Sequence, residues 1–184
     1  MVTAWKGKGK DRSFLRLKME ILVISDSHGV VSHVRKAVRE HPDAKALLFA
    51  GDGLSDLGFL SAEYPDLDVY KVWGNCDYAR PADSAEERML TLDGVRIFLL
   101  HGHQWGVKGG YETAAAYARR NGADVLVYGH THTPLSEYLL DTPRPLLVFN
   151  PGSLGRPKDG KYHYGILTVQ NGAVLPSIGE FDRE

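Results

Sequence analysis

Cysteine is almost missing from this chain: Cys76 is the only one in 184 residues, which excludes an intramolecular disulfide framework and agrees with a reducing, cytoplasmic setting. Long apolar runs are missing too. No stretch approaches the roughly 20 apolar residues that span a bilayer, so no membrane partner is expected. Residues 1–18 lack the continuous apolar segment of a secretory signal. No P-loop or Rossmann glycine pattern occurs, so the chain gives no sign of a nucleotide cofactor. Excess positive charge is absent from the body. The whole chain carries −1, and beyond residue 18 there are 16 basic side chains against 22 acidic ones. A broad nucleic-acid surface needs clustered Lys and Arg, so nucleic acid is not the expected partner.

With 43% hydrophobic residues, the chain reads as one ordinary domain with room for a core, covering 19–184. Residues 1–18 form a basic N-terminal extension holding six of the 22 basic side chains and one acid. Trp5 or Phe14 could anchor it to the body or to a neighbouring chain, so homo-oligomerisation stays open.

The apolar run 20–25 reads as a buried strand, and 31–40, with apolar positions 31, 34 and 38, as a helix stopped at His41-Pro42. Strand 45–50, a short helix over 56–63 and strand 67–73 complete a βαβαβ pattern, which implies a parallel, buried sheet. Strands 87–92 and 95–100 are joined by Asp93-Gly94, a hairpin signal. A helix follows over 111–121, then strands 124–128, 137–140, 146–149, 165–170 and 173–178, the last two joined by Asn171-Gly172. Two sheets face to face with helices outside would bury all of these apolar strands.

Each of five apolar runs ends in a short turn bearing metal-competent side chains: Asp26 and His28, Asp52, Asn75, His101, and His130 and His132. Successive turns lie 23 to 29 residues apart, about one element and a loop, so they can converge along one sheet edge. Asp-x-His and His-x-His spacings send alternate side chains the same way from an extended segment. Imidazoles, carboxylates and an amide make a mixed N/O set, too large for one tetrahedral ion and suited to two. Asp52, set between two glycines, is the expected bridge. Two metals about 3.5–4 Å apart acidify a shared water and clamp both oxygens of an in-line displacement, and a phosphate ester is the natural substrate.

The set Asp26-Ser27-His28-Gly29, Gly51-Asp52, Gly74-Asn75-Cys76-Asp77, His101-Gly102-His103, Gly129-His130-Thr131-His132 and Asn150-Pro151-Gly152-Ser153 resembles the calcineurin-like metallophosphoesterases. It is most similar to their small bacterial and archaeal YfcE/YsnB-type phosphodiesterase branch, from about Met19 to the C-terminus. The resemblance implies an αββα four-layer sandwich of two mixed sheets flanked by helices. It implies hydrolysis of a small phosphodiester by in-line attack of a metal-bridging hydroxide. The cofactors would be two divalent ions, manganese first, with nickel, magnesium, iron or zinc as alternatives. The implied partition puts Asp26, His28 and His132 on one ion, Asn75, His101 and His130 on the other, and Asp52 between them.

Many members of the wider superfamily have histidine where this chain has Cys76, so His103 becomes the candidate proton donor to the leaving group. Cys76 itself reads as packing rather than as a nucleophile. Asp77, grouped with His103 as a candidate catalytic residue, is expected to orient an imidazole or the Asn75 loop. Asn150–Ser153 should pack beneath the site. Trp105 and Tyr78 are candidates for pocket walls, and His33, His41 and His163 belong to no cluster. Two competing functions remain. A retromer vacuolar-sorting subunit resembles the same branch, including the His-Gly-His-Gln and Asn-Pro-Gly-Ser segments, yet works as an interaction scaffold. Its third-motif asparagine is altered, whereas Asn75 is intact here. A metal-dependent nuclease would need a basic groove that the acidic body does not offer.

Overall fold

The computed structural model describes residues 18–140 and 144–182; the extension at 1–17, with Trp5 and Phe14, lies outside the described residues. Two sheets form the body. One runs β11(Ala173–Phe181), β10(Tyr162–Gln170), β1(Met19–Ile24), β2(Ala46–Phe49), β3(Asp68–Val72) and β4(Ser84–Ala85). The other runs β5(Glu87–Leu92), β6(Val95–Leu100), β7(Val125–Val127), β9(Leu146–Asn150) and β8(Leu135–Leu139). Both are mixed: β1, β2 and β3 are mutually parallel while β10 joins β1 antiparallel, and β6, β7 and β9 are parallel between antiparallel β5 and β8.

Strand alternation sorts the apolar side chains into three layers. Ile21, Val23 and Leu48 meet Ile97, Leu99, Val125, Val127 and Phe149 between the sheets. The intervening Leu22, Ile24, Leu47 and Phe49 face outward onto Val34, Ala37 and Val38 of α1(Val31–Glu40). On the far side, Phe98, Leu100, Leu126 and Val148 receive Ala114, Ala115 and Ala118 of α3(Glu112–Arg120), whose small side chains let the helix lie close. Glu112 in its first turn and Arg119 and Arg120 in its last complement the helix dipole. This is the αββα arrangement that the resemblance implied. Large side chains buried on both faces of each sheet contribute about 1.5–3 kcal/mol apiece.

Asp93-Gly94 and Asn171-Gly172 both adopt left-handed φ, as two-residue hairpin turns require. Several boundaries differ from the sequence reading. The helix expected over 56–63 is a 3₁₀ turn, Leu54–Leu57, and a separate short α2(Leu60–Glu63), because Gly58 and Phe59 interrupt it. The final hairpin is longer than expected, pairing Tyr162 with Phe181, and tolerates Pro176 because β11 is a sheet edge. β4 was not foreseen: two residues pair with β3 where no apolar run marks them. Among the described residues no helix is long and apolar enough to cross a membrane.

Candidate metal centre

Parallel strands put their C-terminal ends at one edge, and five of them, β1, β2, β3, β6 and β7, lead directly into the five turns singled out above. The seven side chains do converge. His132 Nε2 lies 3.1 Å and His28 Nε2 3.8 Å from Asp26 Oδ1, and the two imidazole nitrogens are 3.2 Å apart. On the other side His101 Nε2 is 3.2 Å from Asn75 Oδ1, and the His101 and His130 rings are 4.9 Å apart. Asp52 Oδ2 stands between the two groups, 3.9 Å from His28 Nε2 and 3.5 Å from His101 Nε2.

The backbone is held in sparsely populated conformations to achieve this. Asp26, His28, Asp52, His130 and His132 all have left-handed φ, between 46° and 66°, and the other two described non-glycine residues of that kind are the hairpin residues Asp93 and Asn171. Each such residue costs on the order of 1 kcal/mol, and clusters of them mark sites that the surrounding structure over-determines. Two glycines are required by close approach. A Cβ on Gly74 would lie 2.1 Å from Asp52 Oδ1, and one on Gly129 would lie 1.9 Å from Ser25 Oγ and 2.8 Å from Asp26 Oδ2.

Buried hydrogen bonds do the over-determining. The Asp77 carboxylate accepts four backbone N–H groups: Asp52 and Gly74 on Oδ2, each at 2.8 Å, and Gly53 and Leu54 on Oδ1, each at 2.9 Å. It therefore clamps the Asp52 turn to the Asn75 turn. Of the two expected roles for Asp77, the hydrogen bonds fit orientation of the Asn75 loop, and with both oxygens occupied by backbone N–H groups it acts as a positioning residue rather than a catalytic one. Asp56, which the sequence reading missed, plays the matching part for the first turn, accepting Ser27 Oγ at 2.6 Å and Gly29 N at 2.8 Å on Oδ2. Asn150 donates to Gly129 O and Thr131 Oγ1, each at 3.0 Å, and Ser153 Oγ donates to Asp26 O at 2.8 Å. The Asn-Pro-Gly-Ser segment thus lies beneath the site, bracing the first and last turns. Backbone carbonyls fix two rings: His101 Nδ1 meets Ala50 O and His132 Nδ1 meets Arg156 O, each at 2.7 Å, which leaves both Nε2 atoms facing inward.

His103 belongs to the same cluster, its ring 5.4 Å from His101, 6.1 Å from His130 and 5.9 Å from Trp73. Burial, then the nearby His101, lowers its pKa, so the ring is neutral near pH 7. Cys76 departs from the packing reading: it is exposed, and its Sγ stands within 4.8 Å of donor atoms of His28 and Asp52. Partial desolvation of its sulfur among the site's side chains, then the Asp52 carboxylate, push the thiol up to about 11, so it is protonated and no ready nucleophile. Trp105 walls a surface pocket with Glu86, Glu87, Gln104 and Thr113 that includes none of the seven donors. Its ring packs on Phe98 and Tyr117, and its Nε1 donates to Glu87 Oε2. Tyr78 is 97% exposed. Outside the cluster, His33 meets Leu154 O, His41 pairs with Glu20, and His163 pairs with Asp159.

The donor set fits divalent cations. Asp26 Oδ1 is buried, and its close contacts are the two imidazole nitrogens of His132 at 3.1 Å and His28 at 3.8 Å, so the carboxylate and both rings face one common point. Burial disfavours the ionised form of Asp26, yet His132, His101 and the Ser25 hydroxyl outweigh it and hold the carboxyl below its usual range. His130 is held down to about 4, first by burial and then by His101, which keeps its nitrogen lone pair free near neutrality. Two carboxylates, a neutral amide oxygen and four imidazoles are hard and borderline donors, the kind that take manganese, nickel, iron, magnesium or zinc.

The profile of the calcineurin-like phosphoesterase superfamily domain matches residues 19–172. The chain is 36% identical over 158 residues to the probable metallophosphoesterase YsnB of Bacillus subtilis, covering 85% of this chain and 88% of that protein. It is 30% identical over 171 residues to the phosphodiesterase YfcE of Escherichia coli, covering 81% and 87%. A Streptococcus pneumoniae protein described as a predicted phosphoesterase superposes with a TM-score of 0.71 at 24% identity, covering 91% of this chain and 99% of that one. The vacuolar protein sorting 29 of Cryptosporidium parvum shares the fold at 0.62 and 20% identity, covering 90% and 99%. A superfamily match over most of the chain and relatives at 30% identity or above lead to one conclusion: this chain belongs to the calcineurin-like phosphoesterases.

Proposed function

We propose that the protein is a phosphodiesterase that hydrolyses small phosphate diesters with two divalent metal ions, manganese first among them. The observation that carries this reading is Asp52 Oδ2 standing between two groups of donors, 3.9 Å from His28 Nε2 and 3.5 Å from His101 Nε2. In this reading Asp26, His28 and His132 hold one ion, Asn75, His101 and His130 the other, and Asp52 is shared. Bound there, the ions would supply a nucleophilic hydroxide at neutral pH and stabilise the charge that spreads over the phosphoryl oxygens. The chain's own part is placement. The Ala50 and Arg156 carbonyls hold two imidazoles in one tautomer, Asp77 fixes the spacing of the Asp52 and Asn75 turns, and the site opens to solvent at Asn75 and Cys76. The phosphodiesterase name of a relative at 30% identity supports the diester class.

The test is turnover of a bis-aryl phosphodiester by protein loaded with Mn²⁺, Ni²⁺ or Mg²⁺. Diester hydrolysis should exceed that of the matching monoester, as the phosphodiesterase name of the Escherichia coli relative leads one to expect. No turnover with any of the three metals, together with tight binding of a protein partner, would establish the scaffold reading instead. Rapid cleavage of single-stranded DNA would favour the nuclease.

His103→Ala separates two roles. A nitrophenolate departs without a proton, whereas an alkoxide needs one. If His103 donates that proton, the variant loses about 10²-fold or more on an alkyl ester and severalfold at most on the nitrophenyl ester. Equal loss on both would mean that His103 positions substrate or metal only.

A further inference from the structure

Three cationic side chains at the rim of the centre have no carboxylate partner among the described residues. The Arg80 guanidinium lies 3.6 Å from the centroid of the Trp73 ring, and that ring is 5.9 Å from His103. Trp73 directly precedes Gly74-Asn75, so Arg80 is carried to the His101–His130 side of the site. Glu86 and Arg80 both act on His103 electrostatically, yet Glu86 does not come within ion-pair distance of Arg80. Arg156 sits on the opposite side. Its N–H donates to Ser153 Oγ at 2.8 Å, its carbonyl holds His132 Nδ1 at 2.7 Å, and its charge reaches His28 and Cys76. Lys108, in the loop after His103, acts on His130 and His132. Elsewhere Arg35, Lys71, Arg144 and Lys161 each meet a carboxylate, while Lys36 lies over the Phe181 ring instead. On a body with more acids than bases, cations gathered around one site raise the local concentration of anions there.

A simple phosphodiester carries one negative charge. Two divalent ions, set against the Asp26 and Asp52 carboxylates and one hydroxide, already balance it, so the rim cations are surplus for that anion alone. A second phosphate would account for them. Arginine suits it, because its planar fork matches phosphate oxygens and stacking on Trp73 pre-orders the guanidinium before substrate arrives.

We propose that Arg80, with Arg156 and Lys108, makes this a site for diesters whose alcohol portion carries a second phosphate, with Arg80 the specificity-determining residue. This rests on the phosphodiesterase reading above and names its substrate class.

The decisive pair of substrates is the p-nitrophenyl ester of thymidine 5′-monophosphate and the same ester with an additional 3′-phosphate. Both lose nitrophenolate from the same bond, so kcat/KM differs only through the added charge. The manganese-loaded full chain should prefer the 3′-phosphorylated ester by about tenfold, mostly through KM, and the preference should shrink as salt rises. Calorimetric titration gives a readout without turnover: thymidine 3′,5′-bisphosphate should bind about tenfold tighter than thymidine 5′-monophosphate. Arg80→Gln should cut both ratios to about threefold or less. Arg80 is exposed, so the fold should not suffer. Lys36→Gln on α1, a residue whose ammonium lies over the Phe181 ring of β11, should leave both ratios intact. Turnover of both esters without preference, or a preference that survives Arg80→Gln, would overturn the proposal while leaving the phosphodiesterase reading in place. Arg80-dependent tighter binding of the bisphosphate without turnover of either ester would uphold the binding site and sink the phosphodiesterase reading instead.

Discussion

Asp52→Ala should abolish aryl diester hydrolysis, lowering kcat/KM by at least about a thousandfold, on the order of 4 kcal/mol of barrier. Two functions of one carboxylate disappear together. Oδ2 is the atom that faces both His28 and His101, and Oδ1 accepts the Cys76 N–H at 2.7 Å, fixing the loop that presents Asn75. Alanine must also take the left-handed φ of 60° at this position, which adds about 1–2 kcal/mol of strain. Asp52→Asn separates these effects, since asparagine tolerates the same backbone and keeps the Cys76 acceptor while losing the charge. The asparagine variant should melt close to the parent in chelator and still be inactive. If either variant keeps more than about a tenth of parental turnover, Asp52 is not the shared group.

Asp77→Asn should have the larger effect on the fold. The carboxylate receives four buried backbone N–H groups, two on each oxygen. An amide replaces one acceptor with a donor, so two of the four N–H groups face an NH₂ and lose their partner at about 1–3 kcal/mol each. For a chain of this size the melting temperature should drop by about 5–15 °C. Activity should fall about 10–100-fold, because Asp52 and Asn75 are no longer held at a fixed separation. Manganese should restore part of the lost melting temperature by mass action, since it binds only the folded arrangement. An unchanged melting temperature in chelator would contradict the clamp.

The turns were legible because each combines a strand end with glycine and a metal-competent side chain, all local features. The same locality made both hairpins readable, since Asp93-Gly94 and Asn171-Gly172 leave the backbone few alternatives. What supports the turns was not legible. Asp56 looks like any acid in a polar loop until the fold brings Ser27 and Gly29, nearly thirty residues away, to its carboxylate. Asp77 could be placed near the site by its motif, but nothing local says that its partners are backbone N–H groups of the Asp52 turn. Trp105 does line a pocket, but a motif loop does not reveal that this pocket lies outside the seven donors or that the ring packs on Phe98. Cys76 was misread as packing, since its exposure follows from the Asn75 turn facing solvent. β4 has only two residues and exists only because β3 offers an edge. A signal for Asp56 was available in principle: an aspartate four residues after Asp52 in a turn that already holds site residues invites a bracing role.

Metal content tests the central claim most directly. Protein loaded with Mn²⁺, freed of excess ion and measured by inductively coupled plasma mass spectrometry should hold about two ions per chain, as a seven-donor set of this kind implies. His130→Ala should hold about one and Asp52→Ala none, with the folded state of each checked by circular dichroism. One ion or none in the parent, or two retained in both variants, would contradict the account.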